Sequence, residues 1–154
     1  MQKLDFLQHD FPKYLEALDI HTIPVFGKMN VQQMIEHMAY AFQQANGKLV
    51  IPNTQPDSVT EKMYLFMMSD RPFKDNTPNP NLPVEPEPAK FASKQEAIDA
   101  LRSEIQTFIS VFKEDETLRI VNPFFGNLNF QEWVHLLHKH ALHHLRQFNI
   151  IPTS

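Results

Sequence analysis

Four stretches of this chain repeat apolar residues at helical spacing, and each follows a polar residue with Glu or Gln three positions later, the pattern that starts a helix. Asn30 with Gln33, Ser58 with Glu61, Ser93 with Glu96 and Asn129 with Glu132 are the four pairs. No stretch alternates apolar and polar residues over a strand's length, so the sequence predicts an all-α fold.

The stripes that follow these caps define the helices. Asn30 to about Asn46 presents Val31, Met34, Ile35, Met38, Phe42 and Ala45 on one face, with Gly47 as the expected stop. Ser58 to about Asp70 gives a short segment rich in methionine and aromatics. Its Phe66, Met67 and Met68 suit packing under a loop, or else a lid or dimer surface. Ser93 to about Lys113 carries Ile98, Leu101, Ile105, Phe108 and Phe112 at the spacing of a bundle seam. Ahead of these, Leu4, Leu7, Phe11, Tyr14, Leu15 and Leu18 suggest an amphipathic segment that Pro12 either restarts or kinks.

Residues 71–90 hold six of the twelve prolines and no glycine, which predicts extended chain. Neither flank is long enough for a comfortable core of its own, so the expected architecture is a four-helix bundle in a single domain over 1–154. The proline-rich segment then serves as a long crossover between the second and third main helices, letting those two run parallel. Leu118 to Val121 reads equally as a short strand or a loop. The phrases Phe26-Gly27-Lys28-Met29-Asn30 and Phe125-Gly126-Asn127-Leu128-Asn129 match, and read as one local solution for starting a helix used twice.

Composition excludes several functions. A net charge of −4 with no two adjacent lysines or arginines argues against a nucleic-acid partner. Three glycines leave no phosphate-cradling loop. No apolar run approaches bilayer length and Met1 to Asp10 carries charges, so a cytoplasmic location without membrane contact is expected. With no cysteine, histidine and carboxylate are the remaining metal-binding side chains.

Histidine is where the sequence becomes specific. In the last helix the stripe Trp133, Leu137, His140, His144, Gln147, Phe148 and Ile151 places two histidines at its centre. His143 falls at the margin, and His135 and His138 on the opposite side, where solvation is the simplest reading. Histidines four apart point the same way from successive turns, so His140 and His144 are either a hydrogen-bonded core pair or two ligands of one ion. A third ligand must come from another helix, and His37, flanking the buried face of the second main helix, is the natural choice. Glu104 is the best-spaced general base, although an exposed glutamate is its simpler reading. No catalytic residue is assigned. Met34, Met38, Phe108, Phe112 and Trp133 suit a core, or the wall of an apolar pocket.

The segments Met34-Ile35-Glu36-His37-Met38 and His140-Ala141-Leu142-His143-His144-Leu145-Arg146-Gln147, in this order and separated by a long crossover, resemble the DinB-like (YfiT-like) four-helix-bundle metalloproteins. The Asn122-Pro123-Phe124-Phe125-Gly126 lead-in and Glu132-Trp133 look like an uncharacterised branch. The resemblance implies a divalent metal, zinc, nickel or iron, held by His37, His140 and His144. It also implies a small-molecule partner, with metal-dependent transferase or hydrolase chemistry at an open position for water or an external low-molecular-weight thiol. From another class, the alternative is a non-catalytic metal-stabilised bundle or homodimerisation module. Imidazole ligation predicts metal release as pH falls below about 6.

Overall fold

In a computed structural model the protein is mostly helical, with one small sheet; the structure describes residues 2–75 and 85–152. Helices α1 (Gln2–Asp5) and α2 (Phe11–Ala17) flank a π-helical turn at Phe6–Asp10. They are followed by α3 (Val31–Ala45), α4 (Asp57–Met68), α5 (Lys94–Glu114), strands β1 (Ile120–Asn122) and β2 (Gly126–Leu128), and α6 (Phe130–Gln147). The crossover of 71–90 falls partly outside the described residues, which exclude 76–84 and with them Pro78, Pro80 and Pro83.

Two of the four caps form in full. The Asn30 side chain accepts from Gln33 N while the Gln33 side chain accepts from Asn30 N, and Asn129 and Glu132 exchange the same bonds. The glycine of each matching phrase takes the same left-handed backbone, φ +75° at Gly27 and +87° at Gly126. At Ser93 the cap is split. Its hydroxyl accepts from Glu96 N, but the Glu96 carboxylate reaches Ala92 N instead. The Ser58 cap does not form, because the carbonyl of Pro56 already accepts from Val59 N and Thr60 N and starts α4 two residues early.

Pro12 acts on the turn before it. Its ring collides with the carbonyl four residues back in a regular helix, and the preceding chain opens into the π turn. Leu7, Phe11 and Leu15 are nevertheless wholly buried.

The core lies between α3 and α5, with the Phe42 and Phe108 rings edge to face at 5.8 Å. A second face of the core is closed by α6. Met34, Met38, Phe108 and Trp133 are all buried, and the indole N–H of Trp133 donates to Ile120 O, fixing α6 against the sheet. Of the run Leu118 to Val121, Ile120 and Val121 enter β1, paired antiparallel with β2 in the register Ile120↔Leu128, Val121↔Asn127, Asn122↔Gly126, while Leu118 and Arg119 stay in the loop before it. Between the strands, the Asn122 side chain accepts from the backbone N–H groups of Phe124 and Phe125.

The stripe of α6 ends sooner than its periodicity suggests. Asn149 adopts φ 60°, the N–H of Ile150 turns back to Leu145 O, and Ile151 is left 82% exposed.

Candidate metal centre

His37 projects from the middle of α3, and His140 and His144 from successive turns of α6. The three meet. Nε2 of His140 lies 2.9 Å from Nε2 of His144 and 3.2 Å from Nε2 of His37. One ring nitrogen from each lies within 4.8 Å of the others. Two nitrogens bound at 2.0 to 2.1 Å to one tetrahedral ion are about 3.3 Å apart, so the rings stand close to the spacing such an ion requires. Three lone pairs aimed at one point repel unless a proton or a cation sits among them. The donor set therefore fits a divalent metal of the zinc, nickel or iron type.

Burial sets the charge state. It is the main reason that the His37 pKa falls to about 4, with His143 adding to the effect. His140 and His144 are held well below the ordinary histidine range, first by burial, then by His144 and His37 for His140 and by His37 for His144. All three are neutral at pH 7, the form that binds metal.

Around the three histidines the side chains are fixed. His144 Nδ1 is 2.8 Å from Gln147 Oε1, and Gln147 Nε2 donates to Phe26 O at 3.1 Å. Phe73 stands edge-on to His140 at 6.3 Å and to His143 at 6.2 Å. Phe26 packs on His143 at 5.2 Å, and Tyr40 stacks along His37 at 6.5 Å.

Phe73 is held there by two cations of α6. Lys139, buried by this contact, donates from Nζ to the carbonyls of Phe66, Met67 and Ser69 at the end of α4, and lies 5.1 Å from the Phe73 ring. Arg146 Nη2 donates to Phe73 O, to Asp75 Oδ1 and to His143 Nδ1. Residues 69–75 thus run as a strap along α6 beside the histidines. Met67 is part of the core, as packing under a loop would require.

Several sequence expectations change. His135 and His138 are not simply solvated, because the N-terminal helices cover that face of α6: His138 meets Phe6 edge-on at 5.2 Å, and His135 Nδ1 is 2.8 Å from Lys3 Nζ. Burial, then Lys3, lowers the His138 pKa to about 4. Marginal His143 is half-buried between Phe26 and Phe73. Its pKa is lowered by burial first and Arg146 second.

Glu104 is not an exposed glutamate. It is only 6% exposed and sits on the α3 face of α5, accepting from Gln43, Asn46 and Lys48. Burial alone would raise its pKa, yet the bonds from Lys48, Gln43 and Asn46 outweigh that and lower it. These bonds occupy it as a structural anion, which is not the role of a free base. Among the described residues, a cleft of about 400 Å³ lies between Pro52, Thr60 and Asn127, and one of about 460 Å³ between Leu4, Phe112 and Phe130. Neither is lined by the three histidines.

No helix among the described residues is long and apolar enough to cross a membrane. Nothing among curated proteins or solved structures matches the chain. A family model does, that of the DinB superfamily, over residues 3–148.

Proposed function

The chain belongs to the DinB superfamily, and from this premise and the three converging imidazoles we propose that it is a metal-dependent enzyme of transferase or hydrolase type. The observation that carries the reading is the meeting of His37, His140 and His144 Nε2 atoms at metal-ligand spacing. In this reading α3, α5, α6 and the N-terminal helical segment form a four-helix bundle, one domain over 1–154, working in the cytoplasm as a monomer or homodimer.

His37, His140 and His144 hold the ion, and three protein ligands leave a position for water or an external low-molecular-weight thiol. A bound divalent ion supplies Lewis acidity, which lowers the pKa of water toward about 7 and favours a thiolate over a thiol. The protein's own residues do the rest. Burial keeps the imidazoles neutral and ready to ligate. Phe26 and Phe73 limit water around His143 and His140, and Arg146 holds the backbone of Phe73 in place. The partner is a small molecule.

Purification without chelator followed by elemental analysis tests the ion, with about one metal per chain expected. Assays of ester hydrolysis and of thiol consumption with an electrophile, run with zinc, nickel or iron(II), test turnover. A fully folded protein that takes up none of these metals would overturn the reading.

A second reading has its own support: the histidines tie α3 to α6, and neither described cleft reaches them. A metal-stabilised, non-catalytic bundle would lose its fold in His140→Ala, whereas the enzyme reading expects that variant to stay helical and lose its metal.

A further inference from the structure

We propose that Gln147 is a positioning residue of this centre, fixing the tautomer and direction of the His144 ring, and that Gly27 is the glycine which lets the α2–α3 loop hold it. The inference rests on the metal reading above for its consequence, but its geometry is independent of it.

The argument starts from what can accept and what can donate. The carbonyl of Phe26 only accepts, so the end of the Gln147 amide facing it at 3.1 Å is the NH₂. Oε1 is thereby turned toward His144 Nδ1, 2.8 Å away, and that nitrogen must carry the proton, since two acceptors would otherwise face one another. A neutral ring protonated at Nδ1 has its lone pair at Nε2, and Nε2 is the atom that meets His140 Nε2, which in turn meets His37. The ring is therefore preset in the ligating tautomer by a residue one turn further along α6.

The loop is fastened to the same residue a second time. Gln147 O accepts from Val25 N at 2.8 Å, so Gln147 is gripped through both main chain and side chain. Gly27 sits directly over the amide. A Cβ there would lie 2.8 Å from Gln147 Nε2, and the residue holds φ +75°, so both contact and backbone call for glycine. The turn that starts α3, the helix of His37, is thus also the turn that orients a ligand on α6.

Three variants test this: Gln147→Leu removes both side-chain bonds, Gln147→Glu keeps the acceptor for His144 but loses the donor to Phe26, and Gly27→Ala crowds the amide. Nitrogen NMR of the metal-free protein reads the His144 tautomer directly. Zinc affinity is read by competition with a chromophoric chelator, and helicity by circular dichroism.

The expected result is a single Nδ1–H tautomer in the parent protein and mixed tautomers in Gln147→Leu and Gly27→Ala. Zinc should bind about 10- to 100-fold more weakly to Gln147→Leu, and Gln147→Glu should restore most of the affinity. A Gln147→Leu protein of parental helicity that keeps the single tautomer and parental zinc affinity would overturn the proposal. So would a Gln147→Glu protein as impaired as Gln147→Leu. If the parent protein binds no zinc, the metal reading fails, while the tautomer measurement still decides the role of Gln147.

Discussion

His140 and His144 bring their Nε2 atoms to 2.9 Å of each other from adjacent turns of α6, while His37 reaches the same point from α3. Two of the three candidate ligands therefore share one rigid helix and the third arrives on another. Losing His37 should leave a two-ligand site that still takes up metal weakly, whereas His140→Ala removes the ring common to both short contacts and should abolish binding. Titration of the two variants with zinc, followed by calorimetry, checks the order; equal affinities would contradict it.

Protons compete with the ion only where the folded imidazoles accept them. Because burial lowers the His37 pKa to about 4, metal retention should extend well below the pH of about 6 expected from an ordinary histidine. Occupancy measured by elemental analysis after equilibration should hold at pH 5 and fall only as the pH approaches 4 and below.

His138 gives the matching prediction for stability. Its pKa is about 4 in the fold against the ordinary histidine value of about 6.5, so between those values the unfolded chain binds a proton that the folded chain does not. Stability is then constant above pH 6.5 and declines as pH drops toward 4, by up to about 1.4 kcal/mol per pH unit from this one residue. Urea melts of chelator-treated protein and of His138→Gln should converge as the pH is lowered through that window.

Glu104 should matter as an anchor. Glu104→Ala leaves the Gln43 and Asn46 amides without their acceptor and should cost about 1 to 3 kcal/mol, read as a fall in melting temperature. Its ion-pair partner Lys48 is half exposed, and Lys48→Ala should cost less than about 1 kcal/mol.

Access to the histidines should depend on the strap at 69–75. Phe73→Ala removes the ring beside His140 and His143, and should speed extraction of bound metal by a chelator severalfold without changing stoichiometry. Arg146→Ala, which frees the Phe73 carbonyl, should act in the same direction. Stopped-flow chelation compares them.

The caps and stripes made α3, α5 and the start of α6 readable to within a residue or two, because Asn30, Ser93 and Asn129 each use their side chains to satisfy helix N–H groups. That His140 and His144 point the same way was readable for a related reason, since spacing on one helix fixes direction; that His37 joins them was read from its flank of the second main helix and from the family resemblance. What escaped was charge inside a stripe. Glu104 lies three residues after Leu101 and four before Phe108, squarely on the buried face, but counting only apolar residues passes over it. Lys139 hides its amine in carbonyls that become available only because α4 ends at Met68. His135 and His138 were misplaced because one packed face was assumed for α6, which has a second under Lys3 and Phe6.

The contact between His37 and His140 spans 103 residues of sequence. An ion shared by the two closes a loop of that length, and by the chain-entropy argument used for disulfides a cross-link over about 100 residues removes about 4.7 kcal/mol of freedom from the unfolded chain. In a protein with no cysteine, such an ion would also act as a reversible staple, set by metal supply and pH instead of by oxidation.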